Sequence, residues 1–170
     1  MSKLIVDTNI LQYGVSDHYA KDVRNLIKSF VNDNEEMYIS SYTTFEIYRG
    51  IDSKKIEKTK KIVDVFTSIP PDLVTFKIAA VLTTCYQRHD ATKVYASKYA
   101  DGDTIIAASA IRDQSRILTA NVNDFPAPFF QEEKRYYITS TITHVKIPVS
   151  IVRPDYEIYF NARDTHYPKD

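Results

Sequence analysis

The chain has 170 residues, 22 of them basic and 22 acidic, so its formal net charge at neutral pH is zero. Hydrophobic residues make up 44% and charged residues 26%, the proportions of an ordinary soluble, single-domain globule. Such a chain is not dominated by disorder, and it is not a polycationic nucleic-acid binder, so any contact with phosphate has to come from a local patch. Cys85 is the only cysteine, which excludes an internal disulfide and a cysteine-rich zinc site and favours a reducing compartment. The apolar run after Lys3 is only Leu4-Ile5-Val6, too short for the core of a signal peptide. No stretch approaches the roughly 20 apolar residues of a membrane helix. The expectation is a cytoplasmic, soluble protein without membrane contact.

Leu4-Ile5-Val6 stops abruptly at Asp7 and reads as a short buried strand. A helical turn over 9–13 follows. Ser16 or Asp17 then caps a helix to about Phe30, with Ala20, Val23, Leu26, Ile27 and Phe30 on one stripe. After the Asn32-Asp33-Asn34 turn, residues 37–40 form a second short strand and 41–51 a helix. Ser53 caps a lysine-rich helix over 54–66, which Ile69-Pro70-Pro71 ends. Asp72 caps a long helix to about Arg88. Residues 90–99 read as a loop with a short helix. Asp103 opens a strongly apolar helix, residues 116–119 form a third strand, and 136–142 are strand-like. Beyond that, apolar and polar residues alternate only weakly. Short apolar strands alternating with longer helices predict an α/β domain with a mainly parallel sheet, whose ligands bind beyond the carboxyl ends of the strands.

Acids collect at that edge. Asp7 closes the first strand, Asp124 follows the strand ending at Thr119, Asp103 starts the helix leading into that strand, and Glu46 lies early in the helix after the second strand. Converging carboxylates repel unless a cation is present, and hard oxygen ligands suit Mg²⁺ or Mn²⁺. Such ions activate water and stabilise the leaving oxygen of a phosphodiester. Taken singly, Asp103 and Glu46 read equally well as ordinary helix-start acids, and Asp124 as a loop residue. Asp7 is harder to dismiss, because an acid ending a buried strand is costly without a partner. The joint pattern carries the inference.

The pieces LIVDTNIL, FEIYRGI, DGDTIIAASA and LTANVNDF, spread over 4–125, resemble the PIN domain, most closely its VapC-like toxin branch. The resemblance implies a three-layer α/β/α fold and a metal-dependent ribonuclease whose acidic quartet is Asp7, Glu46, Asp103 and Asp124, with Thr8 and Asn121 supporting by hydrogen bonds. Asp103 is preferred to Asp101 for the third acid because it directly precedes TIIAASA. Asp101 is then a turn residue beside Gly102 and an outer-shell acid. The resemblance further implies a toxin–antitoxin partner and a homodimer. Residues 1–142 would be the nuclease domain, and 143–170 a C-terminal extension packed on it.

The expected function is a Mg²⁺- or Mn²⁺-dependent endoribonuclease that hydrolyses RNA by metal-activated water, with Asp7, Asp103 and Asp124 on the metal and Glu46 on metal or water. Alternatives are an RNA-processing or DNA-directed nuclease outside any toxin–antitoxin pair, a PIN-like fold retained only as a binding surface, and a non-catalytic Mg²⁺-binding signalling module. The last expects adjacent acids after the first strand, where Thr8 and Asn9 stand. Arg49 reads either as a contact to RNA phosphate or as a surface ion pair with Glu46. Lys54, Lys55, Lys58, Lys60 and Lys61 read as a solvated face or as a steering patch. The four histidines show no ligand spacing.

Overall fold

In the computed structural model, which describes residues 2–49, 51–94 and 101–166, side chains along each short apolar strand alternate between two separate cores. The chain runs β1 (Lys3–Val6), α1 (Thr8–Val15), α2 (Ala20–Asn32), β2 (Glu36–Ser40), α3 (Ser41–Tyr48), α4 (Ile56–Val63), β3 (Thr67–Ile69), α5 (Leu73–Arg88), α6 (Asp101–Asp113), β4 (Arg116–Thr119), β5 (Phe130–Thr139), β6 (Lys146–Pro154) and α7 (Tyr156–His166). Six strands form one sheet in the order β3-β2-β1-β4-β6-β5. The first four are parallel, while β6 runs antiparallel to β4 and β5 antiparallel to β6.

Ile5, Tyr38, Ile117 and Val152 point to one face, where they meet Leu82 of α5, Ile106 of α6 and Tyr159 of α7. Their neighbours Leu4, Val6, Ile39, Leu118 and Ile151 point to the other, against Ile10, Leu11, Val23, Ile27 and Val63 of α1, α2 and α4. A strand covered on both faces must be apolar at every position, which is why β1, β2 and β4 stand out as continuous runs. The result is the expected three-layer α/β/α arrangement around a mainly parallel sheet.

Local differences from the sequence reading have identifiable causes. Ser16 and Asp17 do not cap α2. The Ser16 N–H donates to the Gln12 and Tyr13 carbonyls and ends α1, and α2 begins only at Ala20. The helix expected over 54–66 is a single 3₁₀ turn, Ser53–Lys55, followed by α4, and Asp52 rather than Ser53 accepts from the Lys54 N–H. The stretch after α4 becomes β3 because it pairs with the free edge of β2. Asp72 does cap α5, in a capping box with Thr75, and Arg112 of α6 ties onto both residues. Of the 90–99 reading, residues 95–99 lie outside those described.

The carboxy-terminal part departs most. Residues 146–154, which show only weak alternation, form β6 between β4 and β5. Val149, Ser150, Ile151 and Val152 are all buried there, and a strand buried on both faces has no two-residue period to read. β5 starts at Phe130 rather than 136 and forms the sheet edge, with Glu132, Glu133, Lys134 and Arg135 exposed along it, a charged border that discourages further strand pairing. Among the described residues no helix is long and apolar enough to cross a membrane.

Candidate active site

Because β1, β2 and β4 are parallel, their carboxyl ends share one edge, and β1 is the strand from which the chain moves outward to β2 on one side and β4 on the other. Sheets of this kind bind ligands at such a switch point. Asp7 caps β1 there, its N–H bonded to the Leu118 carbonyl of β4 at 3.0 Å. Glu46 arrives on the α3 helix that follows β2, Asp103 on the first turn of α6, and Asp124 on a 3₁₀ turn, Val122–Asp124, beyond β4. All four line one open cavity of about 310 Å³ together with Thr8, Asn9, Gln12 and Arg49.

Asp7 is 2% exposed. Its Oδ2 accepts from the Thr119 hydroxyl at 2.7 Å and from the Asn9 amide at 2.5 Å. Asn9 also takes the Ala120 N–H on its Oδ1 at 2.9 Å, so it ties the end of β1 to the end of β4. Burial pushes the Asp7 carboxyl up to about 6; the nearby charges of Asp124 and Glu46 add to that, against the opposing hydrogen bonds from Thr119 and the Thr8 N–H. Asp124 is also pushed above the usual carboxylate range by burial, and the Asn121 amide, 2.7 Å from its Oδ1, partly offsets this. The Thr8 hydroxyl donates to Glu46 Oε2 at 2.6 Å. Thr8 and Asn121 thus each hydrogen-bond to one of the cavity's carboxylates, Glu46 and Asp124.

Gly102 sits against this corner. A Cβ there would stand 2.5 Å from Glu46 Oε1 and 2.8 Å from the Tyr42 ring, so a glycine is what lets the first turn of α6 approach α3. This corrects the reading of Asp101-Gly102 as a turn: both residues are helical, and the glycine serves close packing rather than a bend. Asp101 is exposed and is not among the residues lining the cavity. Arg49 lines the cavity without pairing with Glu46 among the described residues; its guanidinium lies 5.7 Å above the Phe45 ring. Lys54, Lys55, Lys58, Lys60 and Lys61 are exposed, and Lys58 pairs with Asp17.

Sequence reasoning missed Asn9, Thr119 and Gln12. Asn9 and Thr119 carried a signal, being polar residues flanking the ends of two buried strands, but their partnership spans 110 positions. Gln12 carried none beyond its place one helical turn after Thr8.

The donors are oxygens from carboxylates, the set that Mg²⁺ and Mn²⁺ prefer. Among the described residues no three Asp, Glu, His or Cys side chains converge tightly enough to grip an ion alone; the acids ring the cavity instead. Like charges hold one another apart in this way, and Mg²⁺ needs only one or two carboxylates, filling its octahedron with water and substrate phosphate. Asp7, whose carboxyl is pushed up first by burial and then by the nearby Asp124 and Glu46, is the group that a cation would relieve. The residues present fit a hydrated divalent ion.

Similar folds occur among solved structures. A toxin-antitoxin complex from Klebsiella pneumoniae is 21% identical over 74% of this chain and 92% of its own, with a TM-score of 0.55. FitAcB from Neisseria gonorrhoeae is 21% identical over 72% and 90%, with a TM-score of 0.56. VapBC2 from Rickettsia felis, bound to a DNA fragment from its promoter, is 19% identical over 72% and 90%, with a TM-score of 0.52. No curated protein matches the chain. PIN domains are nucleases and generally use divalent metal ions. The family model described as "PIN domain" matches residues 4–127, the span that brings all four acids to one rim, and the chain belongs to the PIN-domain family.

Proposed function

We propose that this PIN domain is an endoribonuclease requiring Mg²⁺ or Mn²⁺, and that it is the toxin of a toxin–antitoxin pair. The observation that carries the nuclease reading is the lining of one cavity by Asp7, Glu46, Asp103 and Asp124, delivered by four separate elements to the carboxyl edge of the sheet. Asp7, Asp103 and Asp124 would hold the ion, and Glu46 would hold it or orient the attacking water. A divalent ion supplies the positive charge that lets water lose a proton near neutral pH and stabilises the departing oxygen. Asn9 and Thr119 fix Asp7, Thr8 fixes Glu46, and Asn121 fixes Asp124, so the carboxylates are oriented before substrate arrives. Arg49, the cation on an otherwise anionic wall, would meet the RNA phosphate.

The toxin part rests on likeness to the Klebsiella toxin-antitoxin complex and to VapBC2. Membership in the PIN family removes the signalling-module alternative. A homodimer belongs to the same proposal. Purified protein is expected to cut single-stranded RNA with Mn²⁺ or Mg²⁺ and to stop with a chelator, and Asp7→Asn is expected to lose at least a hundredfold in rate while keeping its fold. Equal, metal-independent cleavage by both proteins would falsify the mechanism. Growth arrest on expression, reversed by the product of an adjacent gene, separates a toxin from a processing nuclease.

A further inference from the structure

A second, larger cavity adjoins the acid cavity. Its volume is about 600 Å³, within the range of small-molecule sites, and Asp124 lines both. Val122, Phe125, Pro126, Phe130 and Val152 give it apolar walls. Phe125 and Phe130 pack edge to face with ring centres 5.7 Å apart and are almost fully buried, so they form a firm floor. Glu132 also borders the cavity, but its carboxylate is taken up by Arg135 at 2.7 and 2.5 Å and by the Ser150 hydroxyl at 2.5 Å. It therefore does not present an unpaired negative charge. Asn123 lines the cavity from an exposed position, with an amide that both donates and accepts.

A polynucleotide alternates a charged phosphate with a flat, largely apolar base. The paired cavities alternate in the same way, an anionic rim suited to a phosphate-bound cation beside an apolar recess, with Asp124 at the junction. We propose that the larger cavity is a base-binding subsite, which takes the nucleobase next to the scissile phosphate against Val122, Phe125 and Pro126 and reads its edge with Asn123. This rests on the nuclease reading and deepens it. A base can enter the recess only when it is unpaired and turned out of its stack, so the RNA of the nuclease reading would be bound at an unpaired nucleotide.

Binding tests the subsite without relying on cleavage. In the presence of Mg²⁺, the four nucleoside 5′-monophosphates and ribose 5-phosphate are titrated calorimetrically into the full chain. At least one nucleotide is expected to bind at least tenfold more tightly than ribose 5-phosphate. Ala127→Trp, which places a ring at the cavity wall from an exposed position, is expected to erase that advantage while leaving ribose 5-phosphate unchanged. Asn123→Ala, an exposed change that leaves the apolar walls intact, is expected to level the ranking among the four bases. Nucleotides that bind the parent protein no better than ribose 5-phosphate overturn the subsite, whatever the variants do. Base-dependent binding by a protein that cuts no RNA upholds the subsite and sinks the nuclease reading; base-blind binding by a protein that does cut RNA sinks only the subsite.

Discussion

Asp7 shows how one side chain couples folding to function. Its carboxyl titrates near 6 in the folded protein and near 3.8 when exposed, so between those values the folded state keeps a proton that the unfolded chain has lost. Stability therefore falls as pH rises through this window, and above about 6 the full cost of burying the anion is present, about 3 kcal/mol for a shift of this size. Below about 3.8 the acid is neutral in both states and the cost vanishes. Asp7→Asn removes the charge while its amide oxygen can still accept from Thr119 and Asn9. The metal-free variant is expected to melt about 8 °C above the parent at pH 7.5, and level with it near pH 3.5. Mn²⁺ is expected to raise the melting temperature of the parent and not of the variant. A variant less stable than the parent at pH 7.5 would show that Asp7 is not a strained anion.

Between elements, the contact that matters is the approach of α6 to α3. Gly102 lets the first turn of α6 press against Glu46 and Tyr42, and Thr8 of α1 holds Glu46 from the other side. Glu46 is thus clamped by two helices that the sequence places 38 and 56 residues away. Gly102→Ala gains about 1 kcal/mol of helix preference, but its methyl would stand 2.5 Å from the Glu46 carboxylate and 2.8 Å from the Tyr42 ring, so both must shift and the gain is offset. Displacing that carboxylate should reduce RNA cleavage at least tenfold. Cleavage rate and urea midpoint measured on the same preparation test this; full activity with normal stability would mean that the position of Glu46 is not critical.

At the scale of the molecule, the two cores close only when the carboxy-terminal part is in place. β6 lies inside the sheet, next to β4, and supplies Val149 and Ile151 to one core and Val152 to the other, while α7 adds Tyr159. Burial of four such side chains contributes about 2 kcal/mol each, a total comparable to the whole stability of an ordinary domain. We propose that residues 143–170 belong to the same folding unit as the acids. A chain ending at 142 is expected to lack a cooperative melting transition and to recover little activity. A soluble truncated protein with native near-ultraviolet circular dichroism would overturn that view.

Much of this architecture was legible in one dimension. Leu4-Ile5-Val6 and Arg116-Ile117-Leu118-Thr119 announced themselves because strands buried on both faces must be apolar throughout, and each is followed by the acid or loop that serves the site. The Asp72 cap was equally plain, since its partner Thr75 is three residues away. Local chemistry of this kind is carried by neighbouring residues, so sequence alone determined it. β3, β6, the Asn9–Thr119 clamp and the close-packing role of Gly102 depend on partners far along the chain. Only the tertiary structure decided those, because a strand that pairs late or a glycine that meets another helix has no local pattern of its own.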